Sequence, residues 1–135
     1  MLPATNQRVA LSTRDAVNQQ IHLETQQRIA RYRTASPQAI RRRLQALDQE
    51  WDTERTLEAN AATIGFTGSL LAATVDRRWV YVPMIVTAFL FQHAIQGWCP
   101  PLPLIRRLGI RTTAEIDEER QALKRILGGT RNAGY

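Results

Sequence analysis

Residues 59–98 read ANAATIGFTGSLLAATVDRRWVYVPMIVTAFLFQHAIQGW, the longest stretch of the chain that is nearly free of charge. Its charged residues are Asp76, Arg77 and Arg78, which divide it into two apolar halves. At the rise of an α-helix the halves extend about 25 Å and about 30 Å, close to the thickness of a bilayer core. The stretch therefore predicts an apolar helical hairpin with a tight turn at residues 76–78.

Two patterns within the hairpin favour a membrane location. Small residues recur at every fourth position of the first half, an arrangement that lets helix backbones approach closely in lipid: Ala61, Gly65, Ser69 and Ala73. We call these four residues the small-residue stripe. Aromatic residues at both ends of the second half match the belt found at membrane surfaces. The stripe predicts self-association, so we expect a homo-oligomer in contact with membrane lipid.

The distribution of arginine predicts how the hairpin is oriented. Arginines cluster outside its two outer ends, whereas the turn holds only Arg77 and Arg78. Cytoplasmic flanks carry the excess of positive charge, so we expect a bacterial inner-membrane protein with both termini in the cytoplasm. The alternative is a soluble cytoplasmic helical oligomer, which the polar residues inside both halves leave open.

The segments before the hairpin are charged and helical. Residues 1–36 predict a loose arm followed by a weak amphipathic helix. Residues 37–58 predict a charged amphipathic helix that opens at the Ser36-Pro37 cap and runs without a break into the hairpin. Its apolar seam is Ile40, Leu44, Leu47 and Trp51.

Residues 99–135 begin with a Cys-Pro-Pro turn and continue into a last amphipathic helix. Thr112 and Glu115 form a capping box at its start, and Gly128-Gly129 predicts its end. Its apolar face runs from Ile116 to Leu127, and with the seam of the second helix it is expected to engage another copy or a cytoplasmic protein partner. The predicted fold class is all-α: an apolar helical hairpin flanked by amphipathic helices.

Several kinds of function are excluded or disfavoured by composition. The net charge is +6, but the arginines alternate with acids and no nucleic-acid-binding motif accompanies them, so no nucleic acid is expected as a partner. The single cysteine, Cys99, rules out an internal disulfide and a thiolate-rich zinc site. No catalytic, metal or cofactor-binding pattern stands out, and a non-enzymatic role is predicted.

A few polar residues remain as candidate sites. Cys99 is a candidate redox or sulfur-carrying thiol, since nearby arginines would favour the thiolate; the alternative is a small packing residue. His93 with Gln92 and Gln96 is a candidate polar site, the alternative being a hydrogen-bonded structural histidine. Five arginines are candidate contacts for lipid head groups: Arg41, Arg42, Arg43, Arg106 and Arg107. Solvated ion pairs are the alternative for the Arg41–Arg43 run.

The hairpin and the segment after it resemble the YgaP-like family of small bacterial inner-membrane domains, most of unknown function. The resemblance covers about residues 59–113 and is carried by the hairpin and these residues: Gly97, Trp98, Cys99, Pro100, Leu108, Gly109, Ile110 and Thr112. It implies pairing of hairpins into dimers. In the namesake a rhodanese domain precedes the hairpin; here a charged helical segment stands in its place, so sulfurtransferase activity is not carried over.

These features predict a non-enzymatic, membrane-anchored interaction or assembly protein. A redox or sulfur-handling membrane protein using Cys99 and a soluble helical oligomer are the alternatives.

Overall fold

The structure, a computed structural model, describes residues 1–132, and over that range it is all-helical, as predicted. The elements are α1 (Arg8–Leu11), α2 (Asp15–Tyr32), α3 (Pro37–Gln49), α4 (Thr53–Thr74), a 3-10 turn (Arg77–Val80), α5 (Tyr81–Gln96), α6 (Leu102–Arg107) and α7 (Thr113–Asn132).

Helices α4 and α5 lie against each other and are joined by the 3-10 turn. Asp76 caps this turn by accepting a hydrogen bond of 2.8 Å from the Arg78 amide. The two helices meet closely at Gly68, where a Cβ atom would lie 2.8 Å from the Val82 side chain. A larger residue at position 68 would force the helices apart, so glycine sets their spacing.

The remaining helices form a base at one end of the α4–α5 pair. Helices α2 and α3 pack on α7, and α6 packs on α4. One apolar cluster consists of Ile40, Leu47, Ile116 and Leu123; a second, where α4 joins the base, consists of Val9, Leu57, Cys99, Leu102 and Ile105. We use "base" below for α1–α3, α6 and α7.

The apolar faces predicted to engage a partner are instead used within the chain. Ile40 and Leu47 of α3 pack against Ile116 and Leu123 of α7. These amphipathic helices bury each other's apolar stripes, which leaves neither face open for docking. Trp51 is not part of the seam: it is exposed, with the Arg55 guanidinium 4.6 Å from its ring centre.

The helix predicted to run without a break from Pro37 into the first half of the hairpin is interrupted between Gln49 and Thr53. Asp52 caps α4 by accepting from the Arg55 amide at 2.8 Å, and the Thr53 amide donates to the Arg111 carbonyl oxygen at 2.8 Å. The break places Asp52 and Glu54 at the positive end of a new helix dipole, which stabilises them. These acids therefore lie at the start of a second helix rather than inside one continuous helix.

The two ends of the chain also differ from the sequence predictions. Residues 8–11 form a helical turn, with Val9 in the core, rather than a loose arm. The capping box is confirmed, since the Thr112 amide donates to Glu115 at 2.7 Å and the Glu115 amide to the Thr112 hydroxyl. Helix α7 nevertheless continues through Gly128-Gly129 to Asn132. Glycine costs a helix about 1 kcal/mol, which weakens the helix without ending it.

Gly97 holds α1 against the end of α5. Its φ is +81°, and a Cβ atom there would lie 2.4 Å from the Arg8 carbonyl oxygen. The Arg8 guanidinium also donates to the Ala94 carbonyl oxygen at 3.1 Å. Gly97 thus ends α5 in the left-handed conformation and leaves room for the backbone of α1.

Replacing Gly97 with alanine should destabilise the protein more than replacing Gly109. Both glycines have φ near +80°, but a Cβ atom at Gly109 meets open space. We expect Gly109→Ala to cost about 1–2 kcal/mol from backbone strain alone, and Gly97→Ala to cost roughly 3 kcal/mol or more because α1 must also move. Denaturant unfolding followed by circular dichroism measures both. Equal losses would contradict the close approach of α1.

Candidate membrane-facing surface

The α4–α5 pair exposes large apolar side chains on both helices. Phe66 of α4 is 71% exposed, and Met84 and Phe91 of α5 are 58% and 68% exposed. Exposed as well are Ile64 and Leu70 of α4, Val75, Trp79 and Val80 at the connection, and Tyr81 and Ile85 of α5. Large exposed apolar side chains on two neighbouring helices mark a site of contact with lipid or with another protein.

Within residues 1–132, one helical stretch is long and apolar enough to span a membrane, Arg77–Gln96. It comprises the 3-10 turn and α5. Only 6% of the most apolar 18-residue segment of this stretch is buried in the protein. The apolar residues of this stretch therefore do not serve as the core of the fold, which the two clusters of the base supply.

Helix α4 is less apolar because it carries several hydroxyl side chains, and these are satisfied within the helix. The hydroxyls of Thr63, Thr67, Ser69 and Thr74 each donate to the carbonyl oxygen four residues earlier, at 2.7–2.8 Å. Such back-bonding leaves no hydroxyl proton of these four side chains in need of water. The polar composition of α4 is thus compatible with an apolar environment.

Three residues of the small-residue stripe, Gly65, Ser69 and Ala73, lie beside the α4–α5 contact rather than in it. Gly68 makes the close approach to α5, whereas a Cβ atom on Gly65 would meet nothing within 4 Å. Ser69 and Ala73 are exposed. Ala61 lines an apolar cavity of about 180 Å³ that also includes Val86 and Pro100. The outer part of the stripe therefore has no neighbour among residues 1–132 that fills it.

The three polar residues near the end of α5 do not form one site. His93 is buried, and its Nε2 lies 3.0 Å from Glu54 Oε2. The other oxygen of Glu54 accepts from Arg8 at 3.0 Å. Gln92 donates to Gln96 at 3.5 Å, one helical turn further on. His93 therefore links α5 to the first turn of α4, as a hydrogen-bonded structural histidine would.

Cys99 is buried in the cluster where α4 joins the base. Burial raises the pKa of the Cys99 thiol, a backbone hydrogen bond involving Leu102 lowers it less, and Glu54 raises it further. The expectation that arginines favour the thiolate is wrong: the guanidinium of Arg106 binds Glu115, Asn18 and the Ile110 carbonyl oxygen instead. The environment of the thiol favours its protonated form.

The five arginines predicted to contact lipid divide into two groups. Arg41, Arg42 and Arg107 are exposed. Arg43 and Arg106 instead hold internal carboxylates, Arg43 binding Glu119 and Arg106 binding Glu115. Because their guanidinium groups bind carboxylates within the base, Arg43 and Arg106 have structural roles instead of the predicted contact with lipid head groups.

A buried ion-pair network around Glu119 is not predicted by the sequence. The fully buried Glu119 carboxylate accepts from Arg43 at 2.7 Å and from Arg111 at 2.6 Å. Arg111 also donates two hydrogen bonds to Glu50, at 2.8 and 2.7 Å, and Arg28 lies 3.6 Å from Glu119. These partners are up to 76 residues apart, and nothing local in the sequence marks them.

No family model, curated protein or solved structure matches the chain. Among residues 1–132, no three His, Cys, Asp or Glu side chains come together as metal ligands.

Replacing Glu119 with glutamine should destabilise the base by about 3 kcal/mol at neutral pH, since it removes a carboxylate partner from the buried Arg111 guanidinium and from the partly buried Arg43 and leaves Glu50 to balance both. Burial would raise the pKa of Glu119, but hydrogen bonds from Arg43 and Arg111 outweigh it and hold the pKa below 4.5. Because the pKa of Glu119 is lowered in the folded protein, its carboxylate stabilises the fold above pH 4.5. This stabilisation is lost as the pH falls through the lower pKa of the folded state. Unfolding titrations at pH 7 and at acid pH measure both effects.

Glu118→Gln is the matched control, since Glu118 is a partly exposed neighbour that pairs at the surface with His22 and Gln26. We expect it to change the free energy of unfolding by less than about 0.5 kcal/mol and to keep the wild-type loss of stability in acid. A Glu119→Gln variant as stable as Glu118→Gln would contradict the network.

The Cys99 thiol should react with a maleimide more than about tenfold more slowly in the folded protein than in the denatured chain, because it is buried and protonated. A suitable comparison is Leu23→Cys in a Cys99→Ser background, since Leu23 on α2 is 60% exposed. That variant should label rapidly without denaturant. Equally fast labelling of Cys99 in the folded wild type would contradict its burial.

Proposed function

We propose that this protein is a non-enzymatic membrane-anchored assembly protein whose α4–α5 hairpin lies in the lipid of a bacterial inner membrane. The observation that carries the proposal is the exposed apolar surface on both helices, next to a base with its own core. In water, such a surface would be costly, at about 25 cal/mol for each Å² of apolar area. In lipid the same surface contacts hydrocarbon chains, so this cost does not arise.

The proposed topology places both termini in the cytoplasm. The chain enters the hairpin from the base through Thr53 and returns to it at Gly97, so one side of the membrane holds the whole base. The base carries most of the arginines, whereas Arg77 and Arg78 mark the opposite end. This asymmetry agrees with the positive-inside distribution.

The proposed assembly is a homo-oligomer formed through the small-residue stripe. Support comes from the position of Gly65, Ser69 and Ala73, which lie outside the contact between α4 and α5. Helices in lipid associate through small residues that let their backbones approach. With the α3 and α7 seams buried in the base, the stripe is the surface we assign to self-association.

The alternatives have less support. A redox or sulfur-handling role needs an accessible thiolate, whereas Cys99 is buried with a raised pKa. A soluble oligomer would have to cover both helices of the hairpin. The resemblance to the YgaP-like family stays a prediction; it agrees with the membrane hairpin and with dimerisation.

The wild-type protein should remain in the membrane pellet after low-salt lysis and a carbonate wash. Lysine at both Ile85 and Ala88, which are exposed on α5, should weaken this retention, since each lysine at mid-membrane costs about 2.5–3.5 kcal/mol. Quantitative immunoblotting of pellet and supernatant gives the result.

Leu23→Lys serves as the control, since it places a lysine at an equally exposed apolar position on α2 of the base. It should leave the pellet fraction unchanged. Wild-type protein in the supernatant would overturn the membrane location.

Gly65→Leu should disrupt the oligomer and leave the α4–α5 contact at Gly68 in place, because a Cβ atom at position 65 meets nothing within 4 Å. We expect association to weaken at least about tenfold, equivalent to roughly 1.4 kcal/mol. Cross-linking in membranes and native mass spectrometry measure the oligomer. Thr67→Leu, on the other side of α4, should associate as the wild type does. Unchanged oligomers of Gly65→Leu would show that another surface mediates assembly.

A further inference from the structure

A cationic pocket of about 240 Å³ lies where α5 ends and the base begins. It is formed by the segment that joins α1 to α2 and by the chain around α6. The lining residues are Ser12, Thr13, Arg14, Val17, Trp98, Pro103, Arg106 and Arg107. Trp98 follows the end of α5 by two residues, which places the pocket at the level where the apolar helices meet the base.

Two of the three arginines that line the pocket have no anionic partner among the described residues. Arg14 and Arg107 are exposed, and neither side chain is paired with any group in residues 1–132. Arg106 donates from both terminal nitrogens to Glu115 and to other acceptors. Its buried Nε has no hydrogen-bond acceptor among residues 1–132. Among the described residues that line the pocket there is no carboxylate. The pocket therefore offers guanidinium groups that lack an anionic partner.

Exposed apolar side chains flank the segments that line the pocket. Leu104 and Leu108, on and just after α6, are 62% and 69% exposed, and Trp98 and Leu11 are exposed as well. A soluble anion would gain nothing from these side chains. A ligand with a phosphate and hydrocarbon chains would contact both kinds of surface.

We propose that this pocket binds the phosphate head group of an anionic phospholipid. Arg14 and Arg107 hold the phosphate oxygens, a contact for which the planar guanidinium is well suited. Trp98, Leu104 and Leu108 lie against the glycerol and the first acyl carbons, as aromatic and aliphatic side chains do at membrane interfaces. The inference rests on the proposed membrane location and adds a specific lipid site to it.

The test measures lipid retained by the full-length protein in native mass spectrometry after titration with phosphatidylglycerol or phosphatidylcholine. The wild type should retain phosphatidylglycerol preferentially. An arginine near an anionic surface contributes about fivefold in affinity, so Arg14→Gln with Arg107→Gln should weaken retention about 25-fold. Arg31→Gln with Arg33→Gln removes the same charge from exposed positions at the end of α2, outside the pocket, and should leave retention near the wild-type value.

Three results would overturn the site. The first is equal loss in the two double variants, which would indicate general charge attraction. The second is equal retention of the two lipids by the wild type. The third is displacement of phosphatidylglycerol by inorganic phosphate at millimolar concentration, which would identify a soluble phosphate as the ligand.

Fractionation separates failure of the lipid site from failure of the proposed function. Both double variants should stay in the membrane pellet because the hairpin is unchanged. A wild-type protein that stays in the pellet but shows no lipid preference fails the lipid site alone, whereas a wild-type protein in the supernatant fails both proposals.

Discussion

The buried carboxylate of Glu119 brings together the parts of the base that no local pattern connects. It accepts hydrogen bonds from Arg43 of α3 and from Arg111 in the turn before α7. Arg111 also donates to Glu50 at the break before α4. The same turn accepts the Thr53 amide at the start of α4. A buried carboxylate is stable only when its partners are all in place, so this junction fixes where α4 leaves the base.

Local signals in the sequence predict the elements that depend on neighbouring residues. The capping box of Thr112 and Glu115 and the proline at position 37 set helix starts through contacts within one turn, so the sequence alone locates them. The break at residues 50–52 is different, because it depends on Arg111 some 60 residues away. The amphipathic stripes of α3 and α7 are visible in the sequence, but their pairing with each other requires knowledge of the tertiary fold. For the candidate site, the sequence marks the apolar segment but does not mark Gly68 as the contact glycine.

Several polar side chains of the α4–α5 pair bind partners within the chain, while many of its apolar side chains are exposed. Hydroxyls of α4 bind carbonyl oxygens of their own helix, and His93 binds Glu54 at the level of the base. The residues that resemble the YgaP-like motif have structural roles here: Gly97 admits α1, Cys99 fills a core, and Thr112 caps α7. These residues follow the helix pair directly in the sequence, and they lie where it joins the base.

The docking of α1 on Gly97 has a consequence for the order in which the chain can fold during synthesis. Arg8 finds its partner carbonyl at Ala94, 86 residues later, and Thr53 finds Arg111, 58 residues later. The contact of α4 with α5, by contrast, closes over a short loop, which forms early. The residues of the helix pair therefore emerge from the ribosome before Arg111 and Glu119, which close the base, and the N-terminal turn cannot dock until residue 97 has emerged.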